Sequence, residues 1–504
     1  MAESESDVPP VGVSGHDVAL EDVYRVAIRH ARVELLEDAV ETLRASRAVI
    51  ERALSEDRHT YGLNSGLGHS KDERLSARDL AAYGMQTLDA HAAGVGPALP
   101  DADVRAMMFA RLVGMTRGGA GVHPGVVRVL IELLNSGVTP IVPEIGSVGA
   151  SDLMHLAAIG QVVVGRGRAR YRHEVLLGGE ALAQAGVRAH PLAPHDALSL
   201  ISGNATSIGL GALAVLEADR IAGLADLAGV LTIEAIGGST KQFDAEVAAA
   251  KPFEGQLAAA GHLRALLEGS DLEIRAGSSI QDPLSVRVMP QVHGALREQI
   301  LVARDSVHTE LNARDDNPLV SVERQEMIPN GNFHPLVLAL AFESVRVGLA
   351  HAGMISERRM NKLASFSFGT GTLFPDGGAW TPGRYAEEGV LAYSAAALLA
   401  RLKHLAVPVT LGVPPLDQDI EDHATLAPTA VTMTREALQI VETMLAIEAL
   451  LAVDKLASLP QRRLGVRMDP VYQSVRAVLD GGGAHPVMGD LVEQVRLVLR
   501  ATPN

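Results

Sequence analysis

The chain has 504 residues, enough for about three domains or one large helical body. Its 60 acidic side chains against 44 basic ones leave a formal net charge of −16, which speaks against a nucleic-acid partner, because displacing counterions from phosphates takes a basic stripe. Apolar residues reach 47%, sufficient for a large core, and the absence of cysteine excludes disulfides, iron–sulfur clusters, thiolate zinc sites and thiol nucleophiles.

Residues 1–15 read as a disordered acidic tail without the apolar stretch of a signal peptide. Residues 16–205 read as a loop-rich region, with glycine clusters at Gly62–Gly68, Gly94–Gly96, Gly114–Gly121 and Gly146–Gly149. From 206 to 463 apolar residues recur at three- and four-residue spacing, predicting long helices over Ala205–Ala235, Gln291–Leu311, Pro335–Leu363, Tyr385–Leu405 and Pro428–Leu459. A shorter C-terminal segment, 464–504, follows; Gly481–Gly483 is a further glycine cluster, and Gly277 and Gly331 stand singly. The apolar run Pro335–Met354 is interrupted by Glu343 and Arg346, which suits a buried bundle helix better than a membrane span, so a soluble cytoplasmic protein without a membrane partner is expected. Helices this long leave apolar flanks that one protomer covers poorly, so an oligomer is expected.

Phosphate-cradling, zinc-protease and serine-elbow motifs are missing, and the 18 histidines are spread singly, so no metal site is expected. Four segments stand out together: Tyr61-Gly-Leu-Asn64-Ser-Gly-Leu-Gly68, His91-Ala-Ala-Gly-Val-Gly96, Gly146-Ser-Val-Gly-Ala-Ser151 and Gln281-Asp-Pro-Leu-Ser-Val-Arg287. With Gly331-Asn-Phe-His334, Ile355-Ser-Glu-Arg-Arg359 and Glu421-Asp-His423 they resemble, in order, the histidine and aromatic amino-acid ammonia-lyases. The resemblance implies a mainly α fold: a long antiparallel helix bundle of fumarase/aspartase-like architecture, assembled as a homotetramer with active sites built from several subunits. The fumarase and aspartase signature loop itself is absent.

In that family an Ala-Ser-Gly tripeptide cyclises into an electrophilic methylidene-imidazolone (MIO), which helps to expel ammonia, a poor leaving group. The matching stretch here is Ala150-Ser151-Asp152, with the glycine missing. Ring closure needs a compressed turn that glycine permits and a bulkier residue in a shortened loop resists. The expectation is therefore a degenerate tripeptide, with no cofactor formed. Three further departures lie at matching positions: the family tyrosine of the Gln281 segment is Leu284, the Asn-Gly-Thr is Ser202-Gly203-Asn204, and a glutamate of the histidine lyases aligns with Arg401, with the lysine kept as Lys403.

By resemblance Tyr61 is the acid/base near the β-carbon and Arg287 grips the substrate carboxylate, a planar anion suited to a guanidinium fork. His91, Ser202, Asn204, Gln281 and Phe333 would bind substrate, each with an alternative structural role. Arg401 and Lys403 diverge by about 200° on a helix, so one of them faces the site. A cation in place of a carboxylate would favour an anionic ring; the alternative is a solvated basic face. Lys241 is a further cation of this kind. The reading is a carbon–nitrogen lyase that removes an amine from an α-amino acid or an ergothioneine-like betaine, giving an unsaturated acid. The alternatives are an MIO-dependent histidine or aromatic amino-acid ammonia-lyase, an aminomutase, and a non-catalytic relative that binds small carboxylates.

Overall fold

The computed structural model describes residues 8–275, 280–365, 390–482 and 487–502. Residues 1–7, Gly277, Gly483 and positions 385–389 of one expected helix lie outside them. The long helices are present at Ala205–Ile236, Met289–Leu311, Leu336–Ser365, Val390–Leu405 and Ala427–Ala457, within a few residues of the ends that apolar spacing suggests.

The chain forms two compact units, each drawn from three stretches of sequence. The first takes residues 1–216, 303–340 and 409–432; the second takes 217–302, 341–408 and 433–504. This division differs from the linear segments expected above, because contacts between residues hundreds of positions apart define the units.

In the first unit, the region 16–205 is more helical than its glycines suggest. Helices cover Glu37–Ser55, Ala77–His91, Asp101–Thr116, Pro124–Ser136 and Leu153–Val163. Asp101–Thr116 is buried on every side from Asp103 onward, the signature of a central core helix. Gly114 lies inside this helix, while Gly118 and Gly121 supply the left-handed turn after it. The buried Arg105 guanidinium donates to the Val26 and Leu134 carbonyls, which satisfies a charge within the helix core. The expected tail is partly ordered: Val11–Val13 pairs in parallel with Val33–Leu35, and Val11, Val13 and Val33 are buried. Alternating Val-Gly-Val places both valines on the core side, which outweighs the acidic composition around them. The remaining strands are short: Thr139–Pro140, Arg168–Tyr171 and Glu174–Leu177 form one antiparallel sheet, Val95–Ala98 pairs with Pro143–Ile145, and Leu319–Ser321 with Glu326–Ile328.

The second unit is helical, and several of its buried ions lie against an opposite charge. Arg346, fully buried, pairs with Glu343 and donates to the Leu405 carbonyl (2.6 Å), so the two charges that interrupt the apolar run Pro335–Met354 satisfy one another. Arg359 grips Glu448 with two donors at 2.5 and 2.9 Å, and Thr232 and Ser356 complete the carboxylate shell. Two helical stretches, Asp196–Ile236 and Leu336–Leu363, are long and apolar enough to cross a membrane by length and composition; the apolar window of the first is wholly buried inside the protein.

Candidate active site

The site is built around the turn at residues 146–152. Gly149 adopts φ +77°, where a Cβ would lie 2.2 Å from the Thr425 hydroxyl oxygen, so the turn tolerates only glycine. Ser151 is also left-handed (φ +56°), an uncommon state for a residue with a side chain. Its N–H donates to the Phe333 carbonyl (3.0 Å), and its Oγ accepts the Gly203 N–H (3.2 Å). The Asp152 N–H donates to the Gly203 carbonyl (2.7 Å). Its carboxylate takes the Ser147 hydroxyl on Oδ1 (2.7 Å) and the Ser207 N–H on Oδ2 (2.9 Å). Ser207 lies in the first turn of the Ala205–Ile236 helix, so the Asp152 carboxyl accepts at that helix's positive end.

A carboxyl-rich layer adjoins this turn. Asp315 accepts the Asn204 N–H (2.6 Å), and Arg111 bonds Asp316 (2.5 Å) and the Ser199 carbonyl while lying 3.7 Å from Asp315. Gly203 threads past them: a Cβ there would lie 2.6 Å from Arg111 and 3.0 Å from Asp315. Burial raises the Asp152 and Asp315 carboxyls above the usual range and pushes Asp316 up to about 6, against the pull of Arg111 on Asp315 and Asp316. Glu310 is pushed up to about 7 by burial and by the charges of Asp315 and Asp152. Asn204 is completely buried and neither atom of its amide has a partner, which marks it as a polar group held ready inside the protein.

A second group gathers around the loop 61–69. Asn64 pins the loop by accepting the Thr60 N–H and donating to the Arg58 carbonyl, both at 2.8 Å. Burial raises the Tyr61 phenol above its ordinary value; the Gly68 backbone amide works the other way, and Glu421, Tyr83 and Asp417 add further upward push. Glu421 is itself raised by burial and by Asp417, with His91 favouring its ionised form. His91 Nδ1 donates to the Thr87 carbonyl (2.7 Å), an assignment that leaves Nε2 free to accept. The stretch 416–426 holds both groups: Asp417 bonds His69, Leu426 N–H bonds the Val148 carbonyl (2.8 Å), and Thr425 bonds the Gly149 carbonyl (2.7 Å).

The first unit therefore contains Tyr61, His91, Ala150, Ser151, Asp152, Ser202, Asn204 and Phe333. Of these, Ser202 spends its hydroxyl on the Asn317 N–H (3.0 Å), a bracing contact. Gln281, Arg287, Arg401 and Lys403 belong to the second unit. There Gln281 accepts from Arg287, and Leu284 is exposed. Arg401 pairs with Glu436 (2.7 Å) through side chains 66% and 44% exposed, whereas Lys403 is exposed without an ion-pair partner among the described residues. Lys241 lines a cavity of that unit with Asp244, Arg264 and Glu273.

Reading the sequence missed Glu310, Asp315, Asp316, Arg111 and Asp417. Glu421, His334 and His423 stood in quoted motifs without a role. His334 Nε2 lies 2.9 Å from His423 Nδ1, beside Phe333 on one chain segment and close in sequence to Thr425 on the other. Among the described residues no group of histidines and carboxylates forms a metal site.

The chain belongs to the aromatic amino acid lyase family, whose model matches residues 18–477. It is a carbon–nitrogen lyase of the ammonia-lyase class. A histidine ammonia-lyase from Anaeromyxobacter sp. (strain K) is 38% identical over 456 residues, which are 88% of this chain and 89% of that protein. Ergothionase from Treponema denticola, an ergothioneine-degrading enzyme, superposes with a TM-score of 0.91 at 27% identity, covering 98% of this chain and 99% of that one. A phenylalanine aminomutase from Pantoea agglomerans follows at 0.90 and 27% identity, covering 97% and 99%.

Proposed function

We propose that this enzyme eliminates trimethylamine from an amino-acid betaine of the ergothioneine type, without an MIO group. The observation that carries the proposal is the tether on Asp152. An MIO ring would require the nitrogen of the third residue to attack the Ala150 carbonyl carbon. Here that N–H is given to the Gly203 carbonyl, and the carboxylate is pinned by Ser147 and Ser207. The residues present do not fit the ring. The likeness to ergothionase over nearly the whole of both chains supports the same reading.

Without an electrophile the leaving group must be good by itself, and a quaternary nitrogen departs as a neutral amine. A base removes one proton from the β-carbon. The C–H electron pair becomes the α,β double bond, and the C–N pair leaves with nitrogen. Tyr61 is that base. Burial keeps its phenol protonated at neutral pH, so its own proton first passes to a neighbouring acceptor, a role we assign to Glu421, whose charge acts on Tyr61. The rate should accordingly rise toward alkaline pH. Arg287 holds the carboxylate. Of the two cations near the end of the Val390–Leu405 helix, Lys403 has no ion-pair partner among the described residues and is assigned to the sulfur-bearing ring, while Arg401 is engaged by Glu436.

A homotetramer with sites shared between subunits completes the proposal. Exposed Val337, Leu340 and Val347 on one long helix, with Val302 on another, are apolar surface of the sort a neighbouring copy covers. The histidine ammonia-lyase relatives favour a second reading, release of ammonia from histidine. One pair of measurements separates them. The intact protein is expected at its full calculated mass, and it should convert ergothioneine into trimethylamine and a thiol-urocanate. A mass short by two waters together with ammonia from histidine would overturn the proposal.

A further inference from the structure

We propose that His195 is a positioning residue: its Nδ1–H holds the Gly62 carbonyl and so fixes the loop that carries Tyr61 against the helix Asp196–Ile201. The inference rests on Tyr61 as the proton-transfer group in the reaction proposed above.

The anchor joins residues 133 positions apart within the first unit. His195 is buried, with Nδ1 2.8 Å from the Gly62 carbonyl oxygen and Nε2 3.0 Å from the Ala120 carbonyl oxygen. Gly62 follows Tyr61 directly and is held on both sides: its N–H donates to the Ser65 hydroxyl (3.2 Å), and its carbonyl meets the histidine. It is left-handed (φ +72°), and a Cβ there would run into the Leu198 side chain and lie 3.0 Å from Pro318. Glycine at 62 therefore lets the loop lie directly on the helix that follows His195.

Two carbonyl oxygens face one ring, and only an imidazolium carries an N–H for each. Burial pushes this ring below the ordinary histidine value and Arg47 adds to the effect, against the two carbonyls and Asp196. At neutral pH the ring is therefore uncharged and has a single N–H. The Ala120 carbonyl also accepts the Ser199 hydroxyl (2.8 Å), so it is satisfied without the ring. The N–H is accordingly assigned to Nδ1, at the shorter of the two contacts.

The backbone is committed to this arrangement. His195 is left-handed (φ 78°, ψ −22°), a conformation that persists for a residue with a side chain where the surroundings over-determine it. The surroundings are the buried Asp196 carboxylate, held by Arg47 (3.1 Å) and by the N–H groups of Ala193 (2.8 Å) and His123 (2.9 Å). The helix Asp196–Ile201 is about 9 Å long. Just beyond its far end, the Gly203 N–H donates to Ser151 and the Gly203 carbonyl accepts from Asp152. One short helix thus carries the Tyr61 loop at its start and the Ala150–Asp152 turn at its end. A histidine that only filled space would need neither the strain nor the glycine opposite.

The two ring nitrogens can be mimicked separately. His195→Asn puts an amide N–H where Nδ1 stands and suits a left-handed backbone, whereas His195→Gln puts it near Nε2, toward Ala120. His195→Gly removes both donors, relaxes the strain and leaves room for free imidazole. The Asn variant should retain most of kcat. The Gln and Gly variants should lose roughly ten- to hundredfold in kcat with KM little changed, and added imidazole should restore part of the loss in His195→Gly. A second readout needs no substrate. The Leu63 and Asn64 amides, which donate to the Thr60 carbonyl (3.2 and 3.3 Å), should exchange with deuterium faster in the Gln and Gly variants and at the wild-type rate in His195→Asn. Equal losses in the Asn and Gln variants, or unchanged exchange in His195→Gly, overturn the anchor. If the Gln and Gly variants are unstable, His195→Asn decides: wild-type kcat and exchange support the anchor, and a tenfold loss or faster exchange overturns it. Inactivity of the wild type toward betaines overturns the assigned reaction and leaves the exchange pattern to decide the anchor.

Discussion

Asp226 and Glu310 are both carboxyl groups packed among helices, and their surroundings drive them in opposite directions. In the second unit Asp226 is bonded by His262 (2.9 Å), His293 (2.6 Å) and Arg297 (2.6 Å), which hold it far below the usual carboxylate range in spite of burial. Glu448 has Arg359, Glu343 has Arg346, and Glu442 has Arg220, Arg496 and Arg500. In the first unit Asp315 and Asp316 share the guanidinium of Arg111, Glu310 feels the charges of Asp315 and Asp152, and all four carboxyls are raised. A protein that pairs these buried charges in one unit leaves acid less compensated in the other, around the Ala150–Asp152 turn. Such undercompensated groups are a mark of function, because proton transfer near neutral pH needs carboxyls that titrate there.

The comparison breaks most visibly where compensation is complete. Glu448→Ala leaves the fully buried Arg359 facing only the Ser285 carbonyl (3.0 Å). An uncompensated buried charge costs about 3–5 kcal/mol, so this variant should lose much of the stability of the fold in denaturant titration. A loss below about 1 kcal/mol would mean that the ion pairs of the second unit are ornamental and that the contrast drawn above has no energetic content.

Neutralising Glu310 should act in the opposite sense. Its carboxyl is at about 7 in the folded chain against 4.5 as its ordinary value, so the folded form binds the proton more tightly. The contribution to stability is complete below pH 4.5 and is lost as pH rises through about 7. Glu310→Gln removes that loss, and above pH 7 it should be more stable than the wild type by about 1–3 kcal/mol, with little difference near pH 4. Thermal unfolding across that range reads the effect. Asp226 carries the reverse slope: depressed in the fold, it contributes stability above its ordinary value of 3.8 that disappears as the solution is acidified further. Equal stability of Glu310→Gln and wild type at alkaline pH would mean that the acid layer is screened or already compensated.

How far the sequence revealed this arrangement depends on distance along the chain. The long helices were legible because apolar spacing is local, and the Glu343 and Arg346 interruption pointed to a buried bundle helix, though not to the pair the two charges form. The strand Val11–Val13 was not, because three residues in an acidic stretch carry too little pattern and its partner lies 22 positions on, at Val33. The discontinuous units were invisible for the same reason. At the site, Ala150–Asp152, Tyr61 and His91 were recognisable as motifs, and the missing glycine was plain. The tether that gives the gap its meaning was not, since Gly203, Ser207 and Phe333 are contributed from elsewhere. His195 had no signal at all: a histidine standing singly acquires a role only when the fold sets it against Gly62.

The smallest effect sharpens the contrast from the surface. By resemblance Arg401 stands where the histidine lyases carry a glutamate, which invites a large expectation for it. Its guanidinium nevertheless lies in an ion pair with Glu436 that is more than half exposed on the arginine side. Water screens such a pair, and ordering two long side chains offsets much of what attraction remains, so Arg401→Ala should change stability by less than about 1 kcal/mol, and less still in high salt. A double-mutant cycle with Glu436→Ala measures the coupling directly. A coupling above about 2 kcal/mol would place the pair in a desolvated setting, such as an interface between subunits, and would restore Arg401 beside Lys403 as a buried cation with work to do.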